Sequence, residues 1–499
     1  MHKISTLYFK TKNGNAYIYD VNNNMFHNAP DFFDNSSQIN LLCETKDIDA
    51  VKRHALEHGC TEKELKDYLC KVKYLKRFGY FSSILKESRN TSTINETMIH
   101  NNLCKTTQLV FEVTESCNLK CYYCGYGSLY NPVEGRHNTF LSFEKAKAII
   151  DFLSNFWKKD KSRNKTITVS FYGGEPLLNF SFIKKVVEYM SQLKLFDLIN
   201  FSITTNGLLL NKHIDFLVHH NFKIDISLDG DYDENKYRVD MNHNNRHNDV
   251  LNNIKNLIKK YPDYFKNKVG FQAVLSNANS VDSITSYFKD NFHKQVNILE
   301  LNTSDILDKK AFAEIYKDYF VSLNESSPEI KNYYYQEAPE RTRFGNVVFN
   351  LLRNTLFNIY ETPKQALVGI QNKLITATCT PFWKKLFITA KGNLMSCEKI
   401  NYKYVLGKIN NDNIVEINTN KIVSEYNKYY KSLSPQCAEC YSSPFCIQCM
   451  FYVENLGNKP VCQDYMNEKS ACEYLSNLFG YFEDNLNAVY SLINCTYYE

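Results

Sequence analysis

No stretch of this 499-residue chain approaches eighteen consecutive apolar residues, so no transmembrane helix is expected. Residues 1–14 lack the apolar core of a secretory signal. A cytoplasmic protein that spans no membrane is the expectation. Neither sign of charge dominates: 59 Lys and Arg stand against 54 Asp and Glu, for a net charge of +5. The basic residues are spread along the chain and form no basic–aromatic tract, so nucleic acid is not an expected partner. Hydrophobic content of 43% and charged content of 23% are those of an ordinary globular protein. The length leaves room for about two to four domains.

Cysteine is the residue in excess, with sixteen in the chain. A cytoplasmic compartment disfavours disulfides, which leaves metal ligation or catalysis. Three cysteines fall within 117–124 and eight within 379–472. Cys43, Cys60, Cys70, Cys104 and Cys495 stand alone and read as small buried apolar residues.

The first group is Cys117, Cys121 and Cys124, spaced C-x3-C-x2-C. The run before it, Leu109 to Thr114, is β-branched and aromatic and reads as a buried strand. The cysteines therefore sit in a loop at the C-terminal end of a strand, where parallel α/β sheets place their chemistry. Three thiolates can hold three irons of a four-iron cluster and leave the fourth open. A zinc site is the alternative, although zinc loops usually pair C-x2-C with a second such pair or with histidines.

Further strand-like runs fall at 166–172, 200–205, 223–228, 269–275 and 296–301. Amphipathic helix patterns separate them at 142–158, 180–195, 211–220, 246–260 and 280–293. Six strands alternating with helices predict a parallel sheet with covering helices, best met by a partial (β/α)6 TIM-like barrel. Short motifs close successive strands. Gly173-Gly174-Glu175-Pro176 follows the second, and two glycines let backbone approach a ligand closely. Thr204-Thr205-Asn206-Gly207 ends the third and Ser227-Leu228-Asp229-Gly230 the fourth. Asn206, Ser227 and Asp229 are candidate ligands for hydroxyls and carboxylates, although Asn-Gly and Asp-Gly are also ordinary turns. Arg238 lies eight residues past Gly230, with a planar fork suited to a carboxylate or to plain solvent.

The cysteine loop and the GGEP turn resemble the radical S-adenosylmethionine (SAM) superfamily. The resemblance implies a [4Fe-4S] cluster on Cys117, Cys121 and Cys124 whose open iron chelates SAM. It implies reductive cleavage to a 5'-deoxyadenosyl radical. It places Gly173, Gly174 and Glu175 at the SAM amino group, Tyr123 at the adenine and Arg238 at the carboxylate.

The second group runs Cys379, Gly392, Cys397, a gap, then Cys437-x2-Cys440-x5-Cys446-x2-Cys449, then Cys462 and Cys472. Close pairs let two sulfurs reach one metal from a tight turn. Two structural zinc ribbons are the alternative to clusters. The pattern resembles the SPASM extension of radical SAM enzymes, which implies two auxiliary clusters. By that resemblance Cys379, Cys397 and Cys449 serve the first, and Cys437, Cys440, Cys446 and Cys462 the second. Two departures stand out: the last pair is C-x2-C, and Cys472 competes with Cys462 for the closing position. The first auxiliary cluster then has an open iron or a ligand the pattern does not name.

At the N-terminus, Asn13-Gly14 between alternating apolar residues predicts a hairpin. Helices are expected at 47–58 and from Thr61, where Glu64 completes a capping box. This hairpin-plus-helices order resembles the winged-helix-like leader-recognition domain of peptide-maturing radical SAM enzymes. The alternative is a structural cap on the barrel. The expected divisions are a recognition domain at 1–95, a polar linker at 87–106 and a barrel at 107–310. A helical bridge at 311–376, a SPASM domain at 377–475 and a C-terminal helix at 476–499 follow. Within the bridge, Ala311 to Leu323 reads as one helix, and Tyr333–Tyr335 and Phe349–Phe357 as further helical or packing segments.

The resemblance implies an oxidoreductase that matures a ribosomal precursor peptide of the sactipeptide, ranthipeptide or cyclophane kind. The peptide is held by its leader, and a reductase, flavodoxin or ferredoxin supplies electrons. The product is a thioether or carbon–carbon crosslink. Sulfatase-maturase-like oxidation of Cys or Ser is a second enzymatic reading. A non-catalytic iron–sulfur or zinc protein that binds peptide is a third. No catalytic acid or base can be picked from the sequence.

Overall fold

The computed structural model describes residues 6–21, 25–29, 48–57, 59–77, 93–130, 138–159, 166–303, 305–337 and 374–487. Cys43, Cys495, the segment Phe349–Phe357 and the end of the expected C-terminal helix lie outside the described residues. The chain divides into two compact units. One comprises Ile94–Lys331 and Cys379–Val423. The other comprises Met1–Thr93, Asn332–Thr378 and Ser424–Glu499.

The first unit is built on a ten-stranded sheet. Six parallel strands run in sequence order: β4 (Gln108–Thr114), β5 (Thr166–Gly173), β6 (Leu198–Thr205), β7 (Lys223–Ser227), β8 (Val269–Val274) and β9 (Val296–Leu299). Each boundary lies within two residues of the periodicity's prediction. Alternation explains why: Phe111, Phe171, Phe201 and Phe271 are buried, and Phe111 and Phe171 pack on Phe182 of the helix Phe180–Gln192. The intervening residues, among them Ser170, Tyr172, Ser202, Thr204, Asp225 and Gln272, turn to the sheet's inner face. There the Gln108 side chain donates to Ser170 Oγ at 3.1 Å, and the Ser170 and Ser202 hydroxyls meet at 2.8 Å.

The sheet does not stop at β4. Strand β10 (Lys385–Ile388) pairs with it in parallel, Ile388 opposite Phe111, and β11 (Asn393–Met395), β12 (Gly407–Ile409) and β13 (Val415–Ile417) continue antiparallel. Gly392 turns the predicted hairpin at φ 92°. The expected single domain at 377–475 is therefore divided, because its first hairpin extends the central sheet.

Two helical expectations change. The tract read as a linker contains a helix, Glu96–Lys105, because Asn95 caps Met98 N–H at 2.8 Å and Ile99 and Leu103 are buried. The helix expected over 311–323 is two, Lys309–Ile315 and Tyr319–Asn324. Tyr316 turns extended and the Asp318 side chain caps Val321 N–H at 2.9 Å, which starts a new helix.

In the second unit, β1 (Thr6–Lys10), β2 (Ala16–Asp20) and β3 (Met25–Asn28) form an antiparallel sheet in that order. Its two faces are both covered. Tyr8, Ala16 and Ile18 pack with Ala55, Leu65 and Val72 of the helices Ile48–Glu57 and Glu62–Arg77. Leu7, Phe9, Tyr19 and Val21 pack with Ala471, Leu475 and Leu478 of the helix Glu468–Asp484. The Thr11 hydroxyl, the Asn13 amide and the Tyr17 hydroxyl all donate to Glu483, at 2.8–2.9 Å. Thr61 and Glu64 form the predicted capping box, with Thr61 N–H to Glu64 at 2.9 Å. The strands and helices expected here are present; a winged-helix assignment of them remains a proposal.

Candidate active site

Strand β4 ends at Thr114, and the chain turns into the loop of Cys117, Cys121 and Cys124. Glycines fix where that loop starts. Gly173 sits at φ 126°, and a Cβ there would stand 2.4 Å from Thr114 O. A Cβ at Gly174 would stand 2.1 Å from Ser116 O. The close approach lets Gly174 N–H donate to Thr114 O at 2.8 Å and Glu175 N–H to Ser116 O at 2.9 Å. The GGEP turn is thus zipped to the backbone just before Cys117.

Glu175 is buried with both carboxylate oxygens already engaged. They accept from Leu177 N–H at 3.0 Å, the Thr205 hydroxyl at 2.8 Å and Asn206 N–H at 2.7 Å. Burial pushes its carboxyl up to about 6, against the pull of those donors and of Arg238. The side chain also ties the end of β5 to the end of β6. Asn206 is also engaged. Its amide donates to Asn118 Oδ1 at 2.8 Å and reaches Cys117 Sγ at 3.7 Å, beside Leu119 N–H at 3.4 Å from the same sulfur.

Tyr123, expected at the adenine, Asp229, a candidate for hydroxyls or the carboxylate, and Arg238, expected at the carboxylate, are joined to one another. The Tyr123 hydroxyl donates to Asp229, and Arg238 Nη1 donates to the Tyr123 oxygen at 3.1 Å. Arg238 stands 3.8 Å from Asp229 Oδ1, which also accepts Val274 N–H at 3.0 Å. All three are buried. Burial pushes the Cys121 thiol up to about 12, with Arg238 pulling it back and Cys117 and Cys124 adding to the rise. Cys117 and Cys124 are near enough to disfavour the Cys121 thiolate, a repulsion that a shared cation would relieve. That donor set fits an iron–sulfur cluster. Ser227 ends β7, half-buried on the inner face.

On the β10–β11 side, Cys397 accepts Lys399 N–H at 3.4 Å and points its thiol at Glu398, 3.6 Å away. Burial, then Glu398, pushes that thiol up to about 11. Glu398 is in turn held by Lys385 Nζ at 3.0 and 3.1 Å. Cys379 is exposed. A buried acid that the sequence reading missed lies nearby. Glu112, in the middle of β4, accepts Ala390 N–H at 2.8 Å, the Tyr402 hydroxyl at 2.6 Å and the Tyr126 hydroxyl. It links the loop that follows Cys124 to the loop that follows Cys397. A glutamate inside Leu-Val-Phe-Glu-Val was the available signal.

In the second unit, Cys437, Cys440, Cys446 and Cys462 line one cavity together with Leu433, Gln436 and Asp464. Burial pushes Cys437 up to about 12, and Cys446, Cys440 and Cys462 each add to the rise. Cys472 is elsewhere: its thiol donates to Tyr8 O at 3.3 Å in the core beneath β1. Of the two cysteines competing for the closing position, Cys462 is the one at the cavity. Cys449 precedes the short turn Met450–Tyr452. Among the described residues, no three His, Cys, Asp or Glu side chains converge on a single-ion site.

Residues 111–274 match the radical SAM superfamily, and residues 379–441 match the SPASM iron–sulfur cluster-binding domain. The chain thus carries the two domains of a radical SAM/SPASM enzyme, a class that depends on SAM and [4Fe-4S] clusters. It is similar to the radical SAM cyclopropyl synthase TigE of Paramaledivibacter caminithermalis, 31% identical over 34% of this chain and 35% of that protein. It is also similar to the cysteine-type anaerobic sulfatase-maturating enzyme of Clostridium novyi, 27% identical over 37% of this chain and 48% of that protein. The matched segments span less than half the length of these relatives. The solved structure of native anSMEcpe with bound AdoMet covers 79% of this chain and all of its own, with a TM-score of 0.52 at 20% identity. That likeness speaks for the fold. Among the described residues, no helix is long and apolar enough to cross a membrane.

Proposed function

We propose that this chain matures a ribosomally made peptide, abstracting hydrogen from a substrate carbon and installing a thioether or carbon–carbon crosslink. The observation that carries the reading is the loop of three half-buried cysteines at the end of β4, braced by the Gly173–Gly174 turn. Cys117, Cys121 and Cys124 would hold a four-iron cluster with one open iron, which would supply the electron for reductive cleavage of SAM. The chain's own part is positional. Glu175 and Asn206 hold the ends of β5 and β6 against the loop. Arg238 places a fixed positive charge beside Cys121, which favours the thiolate. Cys437, Cys440, Cys446 and Cys462 are assigned to one auxiliary cluster, and Cys379, Cys397 and Cys449 to another.

The N-terminal sheet supports a peptide substrate. Among the described residues β3 is its outer strand, paired only with β2, and Met25 and Asn28 are exposed. An extended leader can add there as a fourth strand. A flavodoxin- or ferredoxin-type donor supplies electrons. The second reading, oxidation of one Cys or Ser in a protein, draws equal support from the Clostridium novyi relative.

Anaerobically reconstituted protein with dithionite and SAM is expected to release 5'-deoxyadenosine, and Cys121→Ala to release none. Activity that survives Cys121→Ala removes the reading. Mass spectrometry of co-expressed peptides then separates the alternatives. A crosslink of either kind gives no hydrazide adduct, and a thioether also blocks thiol alkylation, whereas the second reading yields an aldehyde that a hydrazide captures.

A further inference from the structure

Of the acids on the inner face of the sheet or just past its strand ends, Glu112, Glu175 and Asp229 are buried and fully engaged. Glu112 has three donors, Glu175 has three, and Asp229 has Tyr123, Val274 N–H and Arg238. Asp225 is the exception: its carboxylate makes no hydrogen bond among the described residues. It lies on β7 between Ile224 and Ile226, both fully buried against the helices, so its side chain turns inward. Its register partners are Thr204 on β6 and Gly270 on β8. Gly270 leaves that carboxylate room, because a Cβ would stand 2.6 Å from Asp225 Oδ1 and push the side chain aside. Two residues on, Ser227 faces Gln272. The side chains of Thr204, Ser227 and Gln272 also make no hydrogen bond among the described residues.

A carboxylate half out of water and without a donor is costly. Burial raises its carboxyl above the usual range, with Lys223 pulling the other way. The expense falls away once a ligand brings its own donor. Asp225 sits two residues, about 6.6 Å, below the end of β7. That puts it beneath the strand ends that hold the cysteine loop.

We propose that Asp225 anchors the substrate in the sheet's inner face by accepting a protonated amine or guanidinium, with Thr204, Ser227 and Gln272 around it. The inference rests on the radical reading above and adds a charge preference that reading does not contain. The substrate residue beside the reacting carbon is cationic, and Gly270 leaves room for the Asp225 carboxylate that receives its head group.

A substrate-independent probe tests this. Reduced enzyme is turned over with SAM in the presence of perdeuterated n-hexylammonium or perdeuterated n-hexanol, and 5'-deoxyadenosine is weighed by mass spectrometry. A deuterium atom moves from a C–D bond of the probe to the 5'-carbon. The probe's carbon radical is then quenched by dithionite and a solvent proton. The readout is the deuterated fraction of product, so total turnover does not enter. In the wild type the fraction is expected to saturate with the amine and to stay low with the alcohol. Asp225→Asn and Gly270→Ala are each expected to raise the amine's half-saturation roughly tenfold or more. Equal curves in both variants, or an alcohol as effective as the amine, overturn the subsite alone. Absence of any 5'-deoxyadenosine overturns the radical reading and the subsite with it.

Discussion

Replacing Glu112 by alanine tests whether one buried carboxylate fastens the two cysteine loops of the larger unit. The three groups that donate to it are Ala390 N–H and the hydroxyls of Tyr126 and Tyr402. The two phenol oxygens are 2.9 Å apart, so one can donate to the other once the carboxylate is gone. Two donors, rather than three, are then stranded out of water. At about 1–3 kcal/mol each, the local cost is about 2–6 kcal/mol. Glu112→Gln keeps one acceptor oxygen but sets an amide N–H₂ against at least one donor, and its cost is about 1–3 kcal/mol. Hydrogen exchange read by mass spectrometry on the peptide spanning β10 and β11 reports the loss directly. Exchange at Ala390 is expected to quicken by about 30-fold or more in the alanine variant and less in the glutamine variant. Unchanged exchange in Glu112→Ala refutes the reasoning, because the bond holding that amide has then been misread.

Two further outcomes follow from the same geometry. Cys462→Ala is expected to lose iron and sulfide equivalent to one auxiliary cluster, while Cys472→Ala keeps them. Metal and sulfide analysis after anaerobic reconstitution decides, and the reverse result moves the closing ligand to Cys472. Glu175 gives a pH signature. Its carboxyl is raised from 4.5 to about 6 in the folded state, which therefore holds the proton more tightly than the unfolded chain. The stability it contributes is full below pH 4.5 and is lost as pH rises through about 6, a difference of about 2 kcal/mol. The wild-type-minus-Glu175→Gln stability difference, from urea unfolding of cluster-free protein, is expected to fall by that amount over this window. A flat difference curve contradicts the assignment.

The repeating part of the fold was readable because its signal is local. Strands such as Thr166–Gly173 alternate buried and half-buried residues, and the helices between them carry one apolar face. The cysteine spacings were equally local. What stayed hidden depends on partners far away in sequence. The pairing of β10 with β4 joins residues some 277 positions apart through a strand of four residues. The helix Glu96–Lys105 sits next to a polar stretch whose composition masked Asn95 as its cap. Arg238 and Asp229 were picked out as separate ligands, yet only the folded chain reveals that Tyr123 bridges them. Asp225 could not be singled out at all, since an aspartate within a strand gives no hint of whether a donor waits opposite.

The sandwiching of β1 and β2 against the helix Glu468–Asp484 has a consequence for biosynthesis. The first strands to leave the ribosome find their second covering layer only when residues more than 450 positions later have been made. The ten-stranded sheet, encoded between them and complete at β13 (Val415–Ile417), has a shorter wait. Translation should therefore yield an assembled central sheet while the opening hairpin still exposes Leu7, Phe9 and Tyr19, surfaces on which a chaperone can act until the last helix arrives.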